Sequence, residues 1–153
     1  MRWLETRIPP PLVVLVSGTL GWGLTALTPG LGMSFPGQAA LGLLVAALGV
    51  ATAAAGILAF QKARTTLSPI DPGAATSLVV NGVYTRTRNP MYLGMAVMLL
   101  GWTLILGHPG GLVGIAFFVA YINHFQIQPE ERALQTLFGN TFTAYCARVR
   151  RWI

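Results

Sequence analysis

Formal charge is what this chain has least of. Four acids and ten bases are spread over 153 residues, and charged side chains are 9% of the whole against 54% hydrophobic. Between Ile8 and Gln61 there is no Asp, Glu, Lys or Arg, and between Asn89 and Pro129 there is again none. Mean hydropathy is +0.62. Too little polar surface remains to cover such helices in water, which excludes an ordinary soluble domain. Cysteine is nearly absent: Cys146 stands alone, so neither a disulfide framework nor a cysteine metal cluster can be built, and it reads as a helix-packing residue. A dinucleotide fingerprint is missing too, because the glycines of "GWG" (Gly21–Gly23) lie inside an apolar run rather than between a strand and a helix. Internal repeats and low-complexity tracts are also lacking.

What is there is a set of four hydrophobic stretches. A spanning helix needs about 20 mostly apolar residues, and each charge-free stretch holds two with a turn between. "TPGLGMSFPG" (Thr28–Gly37) breaks the first and "GHPGG" (Gly107–Gly111) the second. This predicts an all-α integral membrane protein, one domain over residues 1–153, with spans near 10–27, 38–60, 89–106 and 109–127. A loop over 61–88 and a tail over 128–153 complete it. The start "MRWLETR" has no clean small-residue cleavage site after it and reads as the lead-in to an uncleaved helix.

All fourteen charges fall before span one, between spans two and three, or after span four, and neither short turn carries any. The positive-inside rule then puts both termini and the middle loop in the cytoplasm. The net charge of +6 forms a basic skirt facing anionic headgroups; scattered along membrane edges, it does not suit nucleic acid. His108 falls in the outer turn and reads as a turn residue. His124 falls near the inner end of span four, so the two cannot share a metal.

Span two places Gly42, Ala46, Gly49, Ala53 and Gly56 on one face at spacings of four, three, four and three. Such a face packs closely against a neighbouring helix, within the chain or in a homodimer, or leaves room for a ligand. The middle loop predicts an ordered cap, with a short extended element formed by Leu78–Val80 and Val83–Tyr84 around Asn81–Gly82. In the tail, Pro129, Glu130 and Glu131 suit a helix first turn. Leu134, Leu137 and Phe138 share a face, as do Phe142, Tyr145 and Val149, with Gly139–Asn140 interrupting. Arg148, Arg150, Arg151 and Trp152 close the chain as an interfacial anchor.

The short turn makes spans three and four an antiparallel hairpin. It brings Arg86, Arg88, Asn89 and Tyr92 to the level of Glu130 and Glu131. Ionisable residues at this depth are costly and point to function.

"TTLSPIDPGAATSLVVNGVYTRTRNPMYLGM" followed by "PEERALQTLFGNTFTAYCARVRRWI" resembles the integral-membrane methyltransferases of the isoprenylcysteine carboxyl methyltransferase and phospholipid methyltransferase group. The resemblance covers roughly Thr65 to Trp152. It rests on a Gly-x-Tyr-x-x-x-Arg-Asn-Pro-x-Tyr block and a Glu-Glu-x-x-Leu-x-x-x-Phe-Gly block ending in basic residues. It departs from the usual pattern at Arg150, where proline is common, and near Phe142, where tyrosine is.

The resemblance implies S-adenosylmethionine bound at the cytoplasmic membrane face, with no Rossmann domain. Arg88 or Arg86 would pair its carboxylate through a charge-assisted fork. Glu130 and Glu131 would accept from ribose hydroxyls or the ammonium. Tyr84, Asn89 and Tyr92 would hydrogen-bond and stack, Pro90 would set the helix entry, and Gly94 completes the block. The small face of span two from Gly49 to Gly56 would lie against the adenosine. Arg88 and Asn89 stand closest to the expected chemistry, and His124 or a glutamate is the expected base if the acceptor is an ammonium. The acceptor would be a lipophilic small molecule or a membrane lipid offering a carboxylate, thiol or amine. The alternative is a non-enzymatic scaffold or transporter subunit using the same basic face to bind headgroups.

Overall fold

Each charge-free stretch folds as two helices broken at the expected turn. In the computed structural model, which describes residues 5–63 and 77–153, α1 spans Pro10–Leu27, α2 Gln38–Lys62 and α3 Pro90–Leu106. Helix α4 (Gly110–Ile122) runs on through a π-helical turn (Asn123–Ile127) into α5 (Gln128–Arg148). α1 covers residues 10–27, α2 runs two residues past 60 and α3 starts one residue after 89, whereas the helix that starts at Gly110 does not stop at 127 but continues to Arg148. Arg2, Arg64, Asp71 and the part of the expected cap over 64–76 lie outside the described residues.

α1, α2 and the continuous Gly110–Arg148 run are long and apolar enough to cross a membrane, and α3 is a shorter apolar helix. The 39-residue run would measure roughly 58 Å, twice the hydrocarbon core of about 30 Å. Its uncharged part ends before Glu130, and Glu130, Glu131 and Arg132 stand beyond it.

The glycines explain how the helices meet. A Cβ on Gly49 would lie 2.6 Å from the Gly94 carbonyl oxygen, and one on Gly101 would lie 2.6 Å from that of Gly42. The small face of α2 is thus closed against α3 at these levels, backbone on backbone, as small residues allow in lipid. Farther along, a Cβ on Gly56 would press on Met91 and Pro90. Gly21 of the "GWG" triplet meets Gly111 in the same way, joining α1 to α4. The opposite side of α2 remains open, with Leu43, Leu48 and Val50 more than half exposed.

The charge-free end is closed by polar side chains with no formal charge. His108, expected to be a plain turn residue, is buried. Its Nδ1 accepts the Gly110 N–H (3.0 Å), so Nε2 carries the hydrogen and donates to the Thr28 carbonyl (2.8 Å). Gln38 accepts from the Phe35 N–H (3.2 Å) and donates to the Ile105 carbonyl (3.2 Å). The Met33 N–H donates to the Gly107 carbonyl (2.7 Å).

One local expectation is corrected. Around Asn81–Gly82 there is no extended pair among the described residues; Gly82 at φ +64° leads a 3-10 turn over Gly82–Thr85 instead. The Thr85 hydroxyl locks that turn by donating to the Gly82 carbonyl at 2.8 Å. Pro129, Glu130 and Glu131 stand in the first turn of α5 as expected, and α5 follows α4 without a break through the π-helical turn. Proline inside a helix cannot bond to the carbonyl four residues back. That carbonyl, of Phe125, accepts the Thr6 N–H (2.9 Å), and the wider π-turn makes room for the ring. The expected interruption of the tail is present as a kink at Gly139, φ 48° and ψ −122°.

Candidate functional site

Helix α3 starts where Asn89 caps it at φ −131° and ψ 57° and Pro90 takes the first helical position, a place that suits proline's fixed φ and missing N–H. The residues just before it are tied down by the end of the chain. The Arg88 N–H donates to the Arg150 carbonyl (3.0 Å), and Asn89 Nδ2 donates to the Arg151 carbonyl (3.0 Å). The Thr87 hydroxyl also donates to the Arg151 carbonyl, at 3.3 Å. Trp152 Nε1 donates to Asn123 Oδ1 on the π-turn (3.1 Å). Residues 149–152 are thus a strap joining the start of α3 to the end of α4.

Beneath the strap lies an ionic cluster. Arg88 Nη2 pairs with Glu131 Oε1 at 2.8 Å, and Arg151 Nη2 pairs with Glu131 Oε2 at 2.5 Å. Arg88 Nη1 also donates to the carbonyls of Cys146 (3.3 Å) and Val149 (3.1 Å), capping the end of α5. One carboxylate between two guanidinium groups leaves one positive charge in excess. Arg88 Nε is buried and has no hydrogen-bond partner among the described residues, an open donor in a site where nearly all buried donors are satisfied.

Glu130 faces the other way. Tyr92 donates its hydroxyl to Glu130 Oε1 at 2.5 Å, and no cation pairs with this carboxylate among the described residues. Burial pushes its pKa up to about 7; the Tyr92 hydrogen bond opposes the shift and the neighbouring Glu131 charge adds to it. Burial also raises the Tyr84 hydroxyl, helped by Tyr145 and Glu130, so Tyr84 stays a neutral hydrogen-bonding phenol.

Both features open on one cavity of about 90 Å³. Phe60 closes it from α2, Leu78, Val79 and Tyr84 from the cap, and Leu134, Phe142 and Tyr145 from α5. Phe60 and Tyr84 meet edge to face, centroids 5.4 Å apart, and Tyr145 donates to the Tyr84 carbonyl at 2.7 Å. Five aromatic rings, a buried carboxyl and a net positive cluster thus surround one space.

Of the site residues expected from sequence, Tyr84, Arg88, Asn89, Tyr92, Glu130 and Glu131 line this cavity. Arg86, on the exposed surface, does not. Pro90 starts α3, behind the lining. Gly49 and Gly94 pack backbone against backbone, each closing the space beside the other, and neither is in the cavity lining. Gly56 is likewise occupied, by Pro90 and Met91. His124 is exposed, stacked edge-on against Phe125 at 4.6 Å, and outside the cavity lining. Arg151, expected only as part of the C-terminal anchor, is also in the ionic cluster. Phe60, Phe142 and Tyr145 were missed as cavity walls; the shared face of Phe142, Tyr145 and Val149 was the available signal, because a docked face must cover something.

The donor set suits S-adenosylmethionine in kind. Its carboxylate matches the positive cluster and the open Arg88 Nε, and its cationic groups match Glu130 and the rings, since aromatic faces attract cations. The described residues enclose space for one end of such a molecule, as small-molecule pockets run from about 300 to 1,000 Å³.

An uncharacterized protein of Haemophilus influenzae is 43% identical to this chain over 63 residues, which are 41% of this chain and all of that protein. A Delta(14)-sterol reductase of Mus musculus is 32% identical over 85 residues, 54% of this chain, and the match spans 20% of the reductase's own length. No solved structure matches. A model of the phospholipid methyltransferase family matches residues 38–141, from the start of α2 past both acids of the site. With well over half of its length in that match, the chain belongs to the phospholipid methyltransferase family.

Proposed function

We propose that the chain is an S-adenosylmethionine-dependent methyltransferase that modifies the polar end of a lipophilic acceptor at the cytoplasmic membrane face. The observation that carries this reading is the split polarity of one buried cavity. Arg88 and Arg151 share Glu131 on one side, and Glu130 with Tyr92 stands apart on the other. A ligand bearing a carboxylate at one point and a cation at another is complementary to both sides, and the amino-acid end of this cofactor is such a ligand. Charges paired in a site with little water interact more strongly than they would in bulk solvent.

When bound, the cofactor supplies an activated methyl group for in-line displacement, a reaction that asks the protein chiefly for positioning. Arg88 would hold the carboxylate through its open Nε, and Tyr84 and the Phe60 ring would border the cationic end. A carboxylate or thiolate acceptor needs no base. An ammonium must first lose a proton, and of the groups expected for that role Glu130 lines the cavity while His124 does not. The family match and a relative whose name gives a sterol as its substrate both favour a lipophilic acceptor.

The test is calorimetric titration of the purified protein in nanodiscs with S-adenosylhomocysteine. Saturable binding that is lost in Arg88→Ala and in Glu130→Ala is expected. Undetectable binding in nanodiscs and in several detergents would favour a headgroup-binding scaffold instead.

A further inference from the structure

The helical turn that carries Glu130 and Glu131 is held from both sides by one short segment that precedes α1. One turn before the acids, Thr6 donates its N–H to the Phe125 carbonyl (2.9 Å), and Gln126 Nε2 donates to the Ile8 carbonyl (2.8 Å). Just after them, Arg132 Nη2 pairs with Glu5 Oε2 at 2.5 Å. Residues 5–8 thus clasp the π-turn and the first turn of α5. They lie outside the stretch matched by the family model, residues 38–141, so nothing in that match accounts for them.

Two irregularities fall on this clasp. Thr6 sits at φ +58°, and a β-branched residue keeps such a backbone only where its surroundings over-determine it. Gln126 is fully buried, yet its Oε1 has no hydrogen-bond partner among the described residues, a cost that an apolar side chain would avoid. Both belong to the contacts that join the segment to the π-turn, a kind of turn that is frequent at functional sites. The segment is also stiffly mounted. Pro9, at φ −57° and ψ 132°, links Ile8 to α1, and α1 meets α4 through Gly21 and Gly111. The clasp therefore ties the turn of the two acids to the helical scaffold through a link whose φ is fixed by the proline ring.

The bonds inside the site cannot supply this hold while a ligand is bound. Glu131 is fixed by Arg88 and Arg151 and Glu130 by Tyr92, and these are the groups the ligand would engage. A ligand carboxylate on Arg88 competes with Glu131 for the same guanidinium, which loosens α5 when alignment matters most. The clasp uses none of those groups. We propose that Thr6 and Gln126 are positioning residues: through the clasp they hold Glu130 and Glu131 against the cavity and so set the affinity of the charged site for its ligand. This rests on the methyltransferase reading for the identity of that ligand.

Hydrogen–deuterium exchange of the full chain in phosphatidylcholine nanodiscs reads the hold directly, and calorimetric titration of the same samples with S-adenosylhomocysteine reads its consequence. Thr6→Pro removes the N–H and forbids the left-handed backbone, and Gln126→Met removes the amide at similar volume. Each is expected to speed exchange across residues 130–134 about tenfold, the scale of one lost buried hydrogen bond. Affinity for S-adenosylhomocysteine should weaken by a similar factor, while exchange in α2 and α3 stays as it was. Thr6→Gly keeps the N–H and suits the backbone, so it should restore both readouts to the parent values. Unchanged exchange in both Thr6→Pro and Gln126→Met, or faster exchange with unchanged affinity, would overturn the proposal. So would faster exchange spread evenly over all helices, since the clasp would then be a staple of the whole fold. A parent protein that never binds S-adenosylhomocysteine would overturn the ligand assignment, and exchange across 130–134 would still decide whether the clasp holds the acids. The two readings therefore fail separately.

Discussion

The two ends of this helical bundle solve the same problem with different side chains. At the charge-free end, loose helix termini are tied by His108 and Gln38, and each uses both of its polar positions on the protein itself. At the charged end, Arg88 ties the end of α5 in a comparable way, yet polar capacity is left over. Arg88 Nε has no partner among the described residues, the cluster keeps an excess positive charge, and Glu130 is held by one phenol. The charge-free end consumes its polar groups, whereas the charged end keeps some in reserve, as the proposed ligand site requires. The cost of burying groups without full compensation is what separates the two.

The comparison breaks most severely if the common scaffold is removed. Gly49→Leu forces a side chain into the backbone of Gly94, and overpacking of this kind costs about 3 kcal/mol or more. Loss of the monodisperse folded species in size-exclusion chromatography is expected, with both ends lost together.

Arg88→Ala attacks only the charged end. Removing one partner of a largely buried ion pair costs about 3 kcal/mol, and here the cap on α5 goes with it. A lower Tm and loss of S-adenosylhomocysteine binding are expected. Arg88→Lys should recover part of the stability and little of the binding, because a point charge cannot reproduce the fork.

Glu130 gives the sharpest test, through pH. Its folded pKa of about 7 lies above the ordinary 4.5. The stability it contributes is therefore complete below about 4.5 and lost as pH rises through about 7. Binding of a cationic ligand beside it should run the opposite way, strengthening as pH rises through the same window. Glu130→Gln should flatten both profiles. Parallel measurements of Tm and of ligand affinity from pH 5 to 8 decide the matter, and two trends of the same sign would contradict this account of the reserve.

At the other end, His108→Ala removes both ties of one imidazole and leaves the Gly110 N–H and the Thr28 carbonyl to find other partners. A loss of about 1–3 kcal/mol is expected, read as a lower Tm with unchanged S-adenosylhomocysteine affinity. The smallest effect belongs to Arg86→Ala. The side chain is exposed and away from the cavity, and surface substitutions of this kind stay within about 0.5 kcal/mol. Ligand affinity should not move, although Arg86 and Arg88 are two residues apart and equally plausible from the sequence.

The pair of arginines shows where legibility stopped. Both stand before α3 with the same chemistry, and only the path of residues 149–152 across the chain selects Arg88. The pairing of Arg151 was hidden for the converse reason: a basic C-terminus beside a membrane is satisfied equally well by headgroups, and nothing in its spacing points back to Glu131. The five small residues of α2 were read as either a packing face or a ligand face, since a missing side chain makes room for anything. The nearness of Gly94 and Gly101 in α3 turned that room into a helix contact. Glu130 and Glu131 are adjacent and identical in type, yet one is clamped by two guanidinium groups and the other faces a phenol, a difference set by helix geometry.

The chain's own order of residues determined how many apolar helices there are, where they turn and which end carries the charge. Uncharged runs of sufficient length have few alternatives in lipid, where backbone groups must be satisfied within the helix. Only the tertiary structure decided which of the gathered polar groups oppose each other, which are used up and which remain open. That choice depends on distances of a few ångströms across helices remote in sequence, and periodicity along a single helix carries no record of them.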